Sequence, residues 1–407
     1  MFSFDINRKD KNTHARTGVL KTPHGIVETP AYVIVGTHAE VRTLSPDDLK
    51  EAKIQMIIAN TYHLWRDLSE EGLNDYQGLH DAMSFKGTIM TDSGGIQVFS
   101  LGFLYENDMR RGGVKSAAPK PPSEKKSLVR VTEAGVYFHP VLPGEDGMEG
   151  AVDAEEEMYL DAETSVKIQE LLGADIIVAF DEPTSPTHDY AYTKQAMERT
   201  HRWAERSLDA RTTDQAMYGV VQGGAFEDLR KESASVIGKM PFDGFAIGST
   251  YGDAYGGTKA KTAQMVEWAI ENLPESRPRH LFGVGKMEDI LAGVEAGIDT
   301  FDCVIPTREA RHGRIWTERG HLDIMKSVLP DPDGPLDELC LCPVCVNPDM
   351  SRAALKQMFK SKDMQAGRLA TIHNVFFFGN FMARLRQAIN ENQFEEFKKD
   401  TLNKLQK

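Results

Sequence analysis

The stretch ADIIVAFDE, residues 174–182, is a short apolar run that stops at two acids. Two other stretches have the same form: TIMTDSGG at 88–95 reaches Asp92, and TFDCVIPTR at 300–308 contains Asp302. Short apolar runs bounded by polar residues are typical of buried strands in a parallel sheet. Acid, base and nucleophilic chemistry on a sugar bond requires carboxylates close together, and separate strands can bring them to one place.

Strand-like runs recur eight times along the chain, and helical patterns stand between most of them. The predicted strands lie at 31–36, 55–60, 88–92, 175–181, 217–222, 244–248, 280–283 and 300–304. The predicted helices between them include 162–172, 192–206, 226–238, 262–272 and 287–296. Eight alternating units predict an α/β fold, a closed parallel β/α (TIM) barrel with its active site at the strand C-terminal ends. The alternative is an open doubly wound sheet, but no Gly-x-Gly-x-x-Gly turn follows an early strand.

The 407 residues are enough for one large barrel with an appendage. We expect the barrel over 1–330, with a charged insertion at about 105–160, and a zinc-binding subdomain with C-terminal helices at 353–360 and 375–398 over 331–407. The N-terminus does not resemble a signal peptide and no apolar run approaches membrane-spanning length, which predicts a soluble, cytoplasmic protein.

The net charge of −14 argues, as an average, against a nucleic-acid partner, although the distribution of charge matters more than its sum. A basic segment at 107–130 and an acidic segment at 145–163 interrupt the strand–helix pattern. The simplest interpretation is that both are solvated extensions of the loop after the third strand. RNA contact by the basic segment is the alternative, because loops after strands surround a barrel's active site.

Three of the four cysteines crowd into six positions as Cys340-x-Cys342-x-x-Cys345, and His373 follows downstream. Three thiolates and one imidazole are the ligand set of a closed tetrahedral site, which predicts one structural Zn²⁺. Three unliganded thiols and an unrelated histidine are the alternative. Cys303 stands apart from this group and is interpreted as a packed residue.

Polar residues at the other strand ends fit a flat, polar ligand. Ser93, Gly94 and Gly95 leave backbone amides bare, and Asp181 with Gln222 offers acceptors and donors that match the edge of a guanine-like base. Asp302 is followed closely by cations suited to phosphate, namely Arg308 and Arg311. Together with a second acid, this favours a retaining displacement at an anomeric carbon, whereas caps and salt bridges are the alternative use of these acids.

Six long motifs in this order resemble those of the tRNA-guanine transglycosylase family. They are NTYHL at 60–64, TDSGG at 91–95, VVQGG at 220–224, GVGK at 283–286, FDCVIPTR at 301–308, and CxCxxC at 340–345 with the distant His373. The resemblance spans nearly the whole chain. It implies a zinc-containing barrel that exchanges a guanine of tRNA for a 7-deazaguanine without cutting the strand, at the anticodon wobble position in the bacterial and eukaryotic branches. Family members of the bacterial type are commonly homodimers, so the resemblance also implies a homodimer.

The resemblance also implies roles for single residues. Asp302 resembles the nucleophile that attacks the ribose anomeric carbon, and Asp92 resembles the general acid/base for the departing and incoming bases. Residues that resemble the base-binding set are Asp92, Ser93, Gly94, Gly95, Ile96, Asp181, Gln222, Gly248, Ser249 and Phe282. Residues that resemble the RNA-contacting set are Gly283, Val284, Gly285, Lys286, Met287, Glu288, Asp289, Thr307, Arg308, Glu309, Ala310 and Arg311.

The chain departs from the family's usual pattern near the base. Ile96 stands where an aromatic residue is usual, and Phe282 where Met is frequent, so we hypothesise that the stacking ring has moved to the opposite face of the base. Ser249 replaces a common Gly, and Pro183 a Cys usual in the bacterial branch. These changes leave open whether the incoming base is an aminomethyl precursor, queuine or another 7-deazaguanine.

Three alternative functions stay open at this point. One is the archaeal reaction in the tRNA D-loop, although the chain has little room for an extra RNA-binding domain after the cysteines. Another is a catalytically silent subunit, disfavoured because Asp92 and Asp302 are both retained. The third is action on DNA. For a tRNA substrate we expect a positive face built from basic residues, namely Lys286, Arg308, Arg311 and Arg314, with or without the basic segment.

Overall fold

The computed structural model describes residues 1–96, 99, 129–143, 149–152, 157–185, 188–248 and 259–405. Its strands are β1 (Ser3–Lys9), β2 (Arg16–Thr22), β3 (Gly25–Thr29), β4 (Ala31–Val35), β5 (Met56–Ala59), β6 (Thr88–Thr91), β7 (Val129–Val131), β8 (Val136–Phe138), β9 (Val141–Pro143), β10 (Glu149–Val152), β11 (Met158–Leu160), β12 (Ile176–Val178), β13 (Ala216–Val221), β14 (Gly244–Ile247), β15 (Arg279–Leu281), β16 (Thr300–Asp302), β17 (Arg314–Thr317) and β18 (Gly320–Asp323). Its helices are α1 (Pro46–Glu51), α2 (Thr61–Asn74), α3 (Leu79–Ala82), α4 (Ala162–Leu172), α5 (Tyr190–Ala210), α6 (Glu227–Ile237), α7 (Lys259–Ile270), α8 (Met287–Glu295), α9 (Ile305–Arg311), α10 (Arg352–Lys360), α11 (Met364–Asn390) and α12 (Phe394–Leu405).

Eight strands close into a parallel barrel in the order β4, β5, β6, β12, β13, β14, β15 and β16, with β16 pairing back to β4. The prediction of a closed eight-stranded β/α barrel is confirmed, and each predicted run overlaps one barrel strand. The eight barrel strands all point the same way, so their carboxyl ends meet at one rim. Asp92 and Asp302 lie at this rim.

The barrel is filled with side chains because successive residues of each strand face opposite sides. One set fills the interior and includes Val33, Ile58, Met90, Val178, Val220 and Ala246. The other set packs against the surrounding helices and includes Ile34, Ile57, Ile89, Ile177, Val221 and Ile247. The antiparallel sheet β1–β2–β3 adds Leu20 and Val27 to the interior cluster.

Helix α4 shows how local sequence sets the bounds of the outer layer. The Asp161 side chain accepts from the Thr164 N–H at its start, and Gly173 ends it in the left-handed conformation with φ 71°. An acidic N-cap and a C-terminal glycine are the usual signals for these two ends. The predicted helix 162–172 is therefore confirmed at both ends.

The described part of the insertion after β6 is folded rather than a solvated loop. Strands β7, β8 and β11 form an antiparallel sheet, and β9 pairs with β10. Val136, Phe138 and Leu160 are fully buried, and the Phe138 ring packs edge-on against Tyr62 and Trp65 of α2. This differs from the expectation because alternating apolar residues give the sheet one face to bury. The basic cluster at 110–126 lies outside the described residues.

The C-terminal region differs from the prediction in two respects, because α11 begins at Met364, before the expected 375, and does not continue to 398. Helix α10 matches its predicted range, but the single helix expected at 375–398 is wrong: α11 ends at Asn390 and α12 begins at Phe394. Asn392 between them adopts φ 57°, a left-handed conformation that Asn tolerates and a helix does not. Helix α11 packs against β4, α9 and β17. Within the part of the chain that the structure describes, no helix is long and apolar enough to cross a membrane.

Candidate active site and metal centre

Asp92 follows β6, and its carboxylate is held by donors from the end of the neighbouring strand β5 and from its own loop. Its Oδ1 accepts the backbone N–H groups of Thr61 and Gly94, each at 3.0 Å, and its Oδ2 accepts the amide of Asn60 at 2.6 Å. Gly94 adopts φ 79°, the left-handed region in which glycine is free of strain. Both carboxylate oxygens are thus oriented by donors, two of which belong to Asn60 and Thr61, residues to which sequence reasoning assigned no role.

Asp302 lies at the end of β16 with a different pattern of partners. Its Oδ1 accepts the Gly283 N–H at 3.0 Å and lies 3.1 Å from His280 Nε2. Among the described residues, no donor lies within hydrogen-bonding distance of Oδ2. The neighbouring Cys303 packs against the apolar core as expected, and burial raises the pKa of its thiol to about 11. The carboxylate of Asp302 therefore has one fixed oxygen and one open oxygen.

The predicted base-reading residues form one contiguous cluster across the ends of β6, β12, β13 and β14. The Ser93 hydroxyl donates to Asp181 Oδ1 at 2.8 Å, and the Gln222 amide donates to Asp181 Oδ2 at 2.7 Å. A Cβ added to Gly248 would lie 2.6 Å from Gln222 Nε2, so the glycine lets the backbone approach the amide closely. Burial raises the pKa of Asp181 to about 6, against the lowering effect of the Gln222 and Ser93 hydrogen bonds.

The remaining predicted base contacts lie around this cluster. A Cβ on Gly95 would lie 2.8 Å from the Asp181 carbonyl oxygen, which explains the need for glycine there. Phe282 directly follows β15, is half-buried, and meets the His280 ring edge-on with centroids 4.8 Å apart. Ile96 is half-buried. Ser249 lies outside the described residues, and the stacking role of Phe282 stays a prediction.

The GVGKMED segment combines an exposed turn with a buried anchor. Gly283 is exposed and adopts φ 70°. The segment's two buried side chains are Val284 and Met287. A Cβ on Gly285 would lie 2.6 Å from the Cβ of Cys303. The half-buried residues of the segment are Lys286, the N-cap of α8, and Glu288 and Asp289 in its first turn.

Helix α9 presents cations at the same rim. Arg308 is exposed, and the pKa of the half-buried Arg311 falls to about 10 because of its partial burial and its nearness to Arg42 and Arg308. Sequence reasoning assigned no role to Arg42, which is exposed. Three neighbouring guanidinium groups repel one another, so this place favours an anion such as phosphate.

The other predicted RNA contacts of α9 have structural partners. Thr307 and Ala310 are buried. Glu309 accepts from Arg314 at 2.8 Å and from the Trp316 indole N–H at 3.0 Å. Arg314 is therefore already paired within the protein, and the RNA contacts expected of these residues stay predictions.

Cys340, Cys342, Cys345 and His373 come together as expected. Their ligand atoms all lie within 4.8 Å of one another, and His373 Nδ1 lies 3.2 Å from Cys345 Sγ. His373 Nε2 lies 2.8 Å from the carbonyl oxygen of Trp316. A carbonyl only accepts, so the proton sits on Nε2 and the lone pair of Nδ1 faces the thiols. The cluster has the geometry and the tautomer to hold a metal ion.

Comparison with known proteins identifies the family of the chain. The family profile described as queuine tRNA-ribosyltransferase matches residues 10–120 and 137–407. The chain belongs to the queuine tRNA-ribosyltransferase family. The expectation of an enzyme of the pentosyltransferase class is confirmed by this membership.

Individual relatives of this family align over almost the full chain. A queuine tRNA-ribosyltransferase of Thermoanaerobacter pseudethanolicus is 40% identical over 403 residues, which are 98% of this chain and 97% of the relative. One of Halothermothrix orenii is 38% identical over 403 residues, 99% and 97% of the two chains. One of Staphylococcus aureus strain JH9 is 39% identical over 392 residues, 96% and 93% of the two chains.

Proposed function

We propose that this chain is a tRNA-guanine transglycosylase that exchanges guanine at the anticodon wobble position of tRNA for a 7-deazaguanine, through a covalent Asp302–ribose intermediate. The observation that carries the proposal is the contrast between the two rim carboxylates: Asp92 has both oxygens held by donors, and Asp302 has one oxygen open. The relatives named queuine tRNA-ribosyltransferase support the same reaction.

The exchange needs two displacements at one carbon. In the first, Asp302 Oδ2 attacks C1′ of the ribose, the new C–O bond forms as the C1′–N9 bond breaks, and the bonding electron pair leaves with guanine, which takes up a proton. In the second, the nitrogen of the incoming base attacks C1′, loses its proton, and Asp302 leaves as a carboxylate. Asp92 is the group proposed to give and take these protons. One C1′–N bond replaces another and Asp302 is regenerated, so the exchange needs no ATP, and no phosphodiester bond changes.

The buried cluster of Ser93, Asp181 and Gln222 is suited to read the base. An ionised Asp181 accepts the N–H groups on the Watson–Crick edge of a purine, and the Gln222 amide donates to its carbonyl oxygen. In the present arrangement these side chains bond one another, and a bound base would take over those bonds. A flipped base also needs flat or apolar surfaces around it, and Phe282 is the candidate for one of its faces.

We propose that the four-residue cluster holds one structural Zn²⁺. The donor set of three thiols and an Nδ1 lone pair fits zinc, and four protein ligands leave no position for water. The metal would tie the loop that carries Cys340, Cys342 and Cys345 to His373 of α11, and His373 Nε2 contacts the Trp316 carbonyl of β17 directly. The ion would stabilise this part of the fold rather than take part in the exchange.

The phosphate backbone of tRNA is proposed to lie along Arg42, Arg308 and Arg311, and Lys286 at the start of α8 is a further proposed contact. These cations would form the positive face on an otherwise acidic protein. Since the protein as a whole carries a net charge of −14, tRNA phosphates should contact only this face. We expect tRNA affinity to fall steeply with salt because of these contacts. The homodimer expected from the resemblance is part of the proposal and is tested by molar mass in solution.

The decisive experiment is incorporation of radiolabelled guanine by wild type and Asp302→Asn. Three substrates are compared: an anticodon stem-loop with a wobble guanine, a full tRNA whose wobble guanine is replaced, and the DNA version of the stem-loop. Label only in the first, and only with wild type, supports the proposal, and competition with 7-deazaguanines then identifies the incoming base. Label in the wobble-replaced tRNA or in DNA, or none in any substrate, contradicts it.

A further inference from the structure

A fully buried histidine in the barrel interior contacts the carboxylate of Asp302. His280 is 0% exposed; its Nδ1 lies 2.9 Å from the Thr300 hydroxyl and its Nε2 lies 3.1 Å from Asp302 Oδ1. In β15 the flanking residue Leu281 packs on the outer helices, so His280 points inward. The β15–β16 pairing sets His280 opposite Thr300, so Thr300 and, two residues later, Asp302 share its side of the sheet.

We propose that His280 is a positioning residue for the nucleophile: with the Gly283 N–H it fixes Asp302 Oδ1, so that Oδ2 alone is presented to the ribose carbon. The inference rests on the proposed function, since it needs Asp302 to be the attacking group. His280 touches neither ribose nor base in this arrangement and acts through Asp302.

The partners of the ring determine its tautomer. A carboxylate oxygen only accepts, so His280 Nε2 carries the proton that meets Asp302. The Thr300 hydroxyl can then donate to the lone pair of Nδ1. Both ring nitrogens are satisfied in this way although no water reaches the ring. Thr300 thus holds the tautomer that Asp302 requires.

Two donors on one oxygen act on both displacements. Before attack they restrict rotation of the carboxylate, so Oδ2 is already oriented toward C1′. When the incoming base attacks, they stabilise the carboxylate that leaves. Loss of one donor should therefore slow both half-reactions while leaving tRNA and base affinity nearly unchanged. Misplacement of a reacting group by about 1 Å costs roughly 100-fold in rate, which sets the scale of the expected effect.

Three substitutions at one position separate positioning from packing. His280→Phe keeps a flat ring and removes the donor. His280→Gln can place an amide N–H where Nε2 lies, whereas the shorter side chain of His280→Asn reaches only the Nδ1 position. Single-turnover formation of the covalent RNA adduct, kcat, the KM for guanine and tRNA affinity are measured for each.

The expected result is an adduct-formation rate lowered by about 100-fold in His280→Phe and His280→Asn, with substantial recovery in His280→Gln and KM nearly unchanged. Equal rates in all three variants and wild type would overturn the inference. So would equal losses in Gln, Asn and Phe, which would indicate packing alone. His80→Asn, which removes a partly buried histidine at the other barrel end, is the matched control and should keep the wild-type rate.

A second pair of variants keeps the test decisive if substitutions at 280 do not fold. Thr300→Val removes the hydroxyl behind the ring with little change in shape, and Thr300→Ser keeps it. Slower adduct formation in Val but not in Ser supports the inference, and equal rates in both overturn it. Wild type must form the adduct and Asp302→Asn must not. If that comparison fails, the proposed function fails, whereas an active wild type with unaffected His280 and Thr300 variants overturns only the positioning role.

Discussion

Each end of the barrel carries a histidine–aspartate contact, and the two are built differently. At the amino end, Asp175 precedes β12 and is fully buried; its Oδ1 lies 2.7 Å from His24 Nδ1, and its Oδ2 accepts the Ile89 N–H at 2.9 Å and lies 3.3 Å from His80 Nε2. At the carboxyl end, the Asp302 side chain is 15% exposed and His280 and Gly283 share a single oxygen. Partners contact both carboxylate oxygens of Asp175, whereas Oδ2 of Asp302 has no hydrogen-bond donor among the described residues.

The pKa of Asp175 reflects this enclosure. Burial alone would raise it, but contacts with His80, the Ile89 N–H and His24 more than offset burial and lower it. Asp181 is also buried, yet the pKa of its carboxyl rises to about 6, because burial outweighs the hydrogen bonds from its neutral partners Gln222 and Ser93, and the charge of Glu182 adds to the rise. The two buried carboxylates thus differ in their pKa: contacts with imidazoles and a backbone N–H lower that of Asp175, whereas neutral side-chain donors leave that of Asp181 raised.

The largest expected effect is the loss of base exchange when Asp302, at the carboxyl end of the barrel, is substituted. Asp302→Asn can turn its carbonyl oxygen toward His280 and Gly283 and so preserve the fold, but its open atom becomes an amide nitrogen that cannot form the sugar ester. We expect base exchange to fall by roughly 10⁴-fold or more. Adduct formation on denaturing gels and the unfolding midpoint are measured together. If the variant lost stability but kept the exchange rate, Asp302 would be a structural carboxylate like Asp175.

The matching substitution at the amino end should give the reverse result. Asp175→Asn removes a charge that two histidines and an amide enclose, which costs about 3 kcal/mol, the lower end for a buried pair because His24 is 47% exposed. Denaturant unfolding gives the free energy, and the exchange rate per folded molecule should stay at the wild-type value. A large loss of rate in the folded fraction would mean that the two ends are coupled.

The sequence predicted the barrel and the rim acids, because short apolar runs that end in acids have a local signature. It did not reveal His280, since its role depends on the register that sets it opposite Thr300, and register is a property of the closed sheet. Asn60 was missed as a partner of Asp92 for the same reason. The break between α11 and α12 was missed because the apolar pattern continues across it and one left-handed residue, Asn392, decides it.

Asp181 tests the intermediate case. Since its folded pKa is raised to about 6, its ionised fraction grows as pH rises through that value, and base binding should strengthen in the same direction. The KM for guanine in wild type should therefore fall between pH 5 and 7. Asp181→Asn should raise the KM about 10- to 100-fold at pH 7.5, the cost of a lost charged hydrogen bond, and should flatten the profile. An unchanged pH profile in the variant would assign the titration to another group.

The smallest effect sharpens the amino end. Burial lowers the pKa of His80, but Asp175 and the Phe85 carbonyl more than offset this and raise it. A raised histidine pKa stabilises the fold below the unfolded value near 6.5 and loses that contribution as pH rises through the folded pKa; the lowered pKa of Asp175 stabilises above about 4 and is lost in acid. The charged forms of His80 and Asp175 therefore both stabilise the fold between about pH 4 and pH 6.5.

The difference in unfolding free energy between wild type and His80→Asn should therefore peak near pH 5–6. It should shrink by about 1 kcal/mol or less at pH 9, because the 3.3 Å contact is long for a charged hydrogen bond. A difference independent of pH would mean that His80 acts as a neutral packed ring, and that only Asp175 and His24 form the ionic contact at this end.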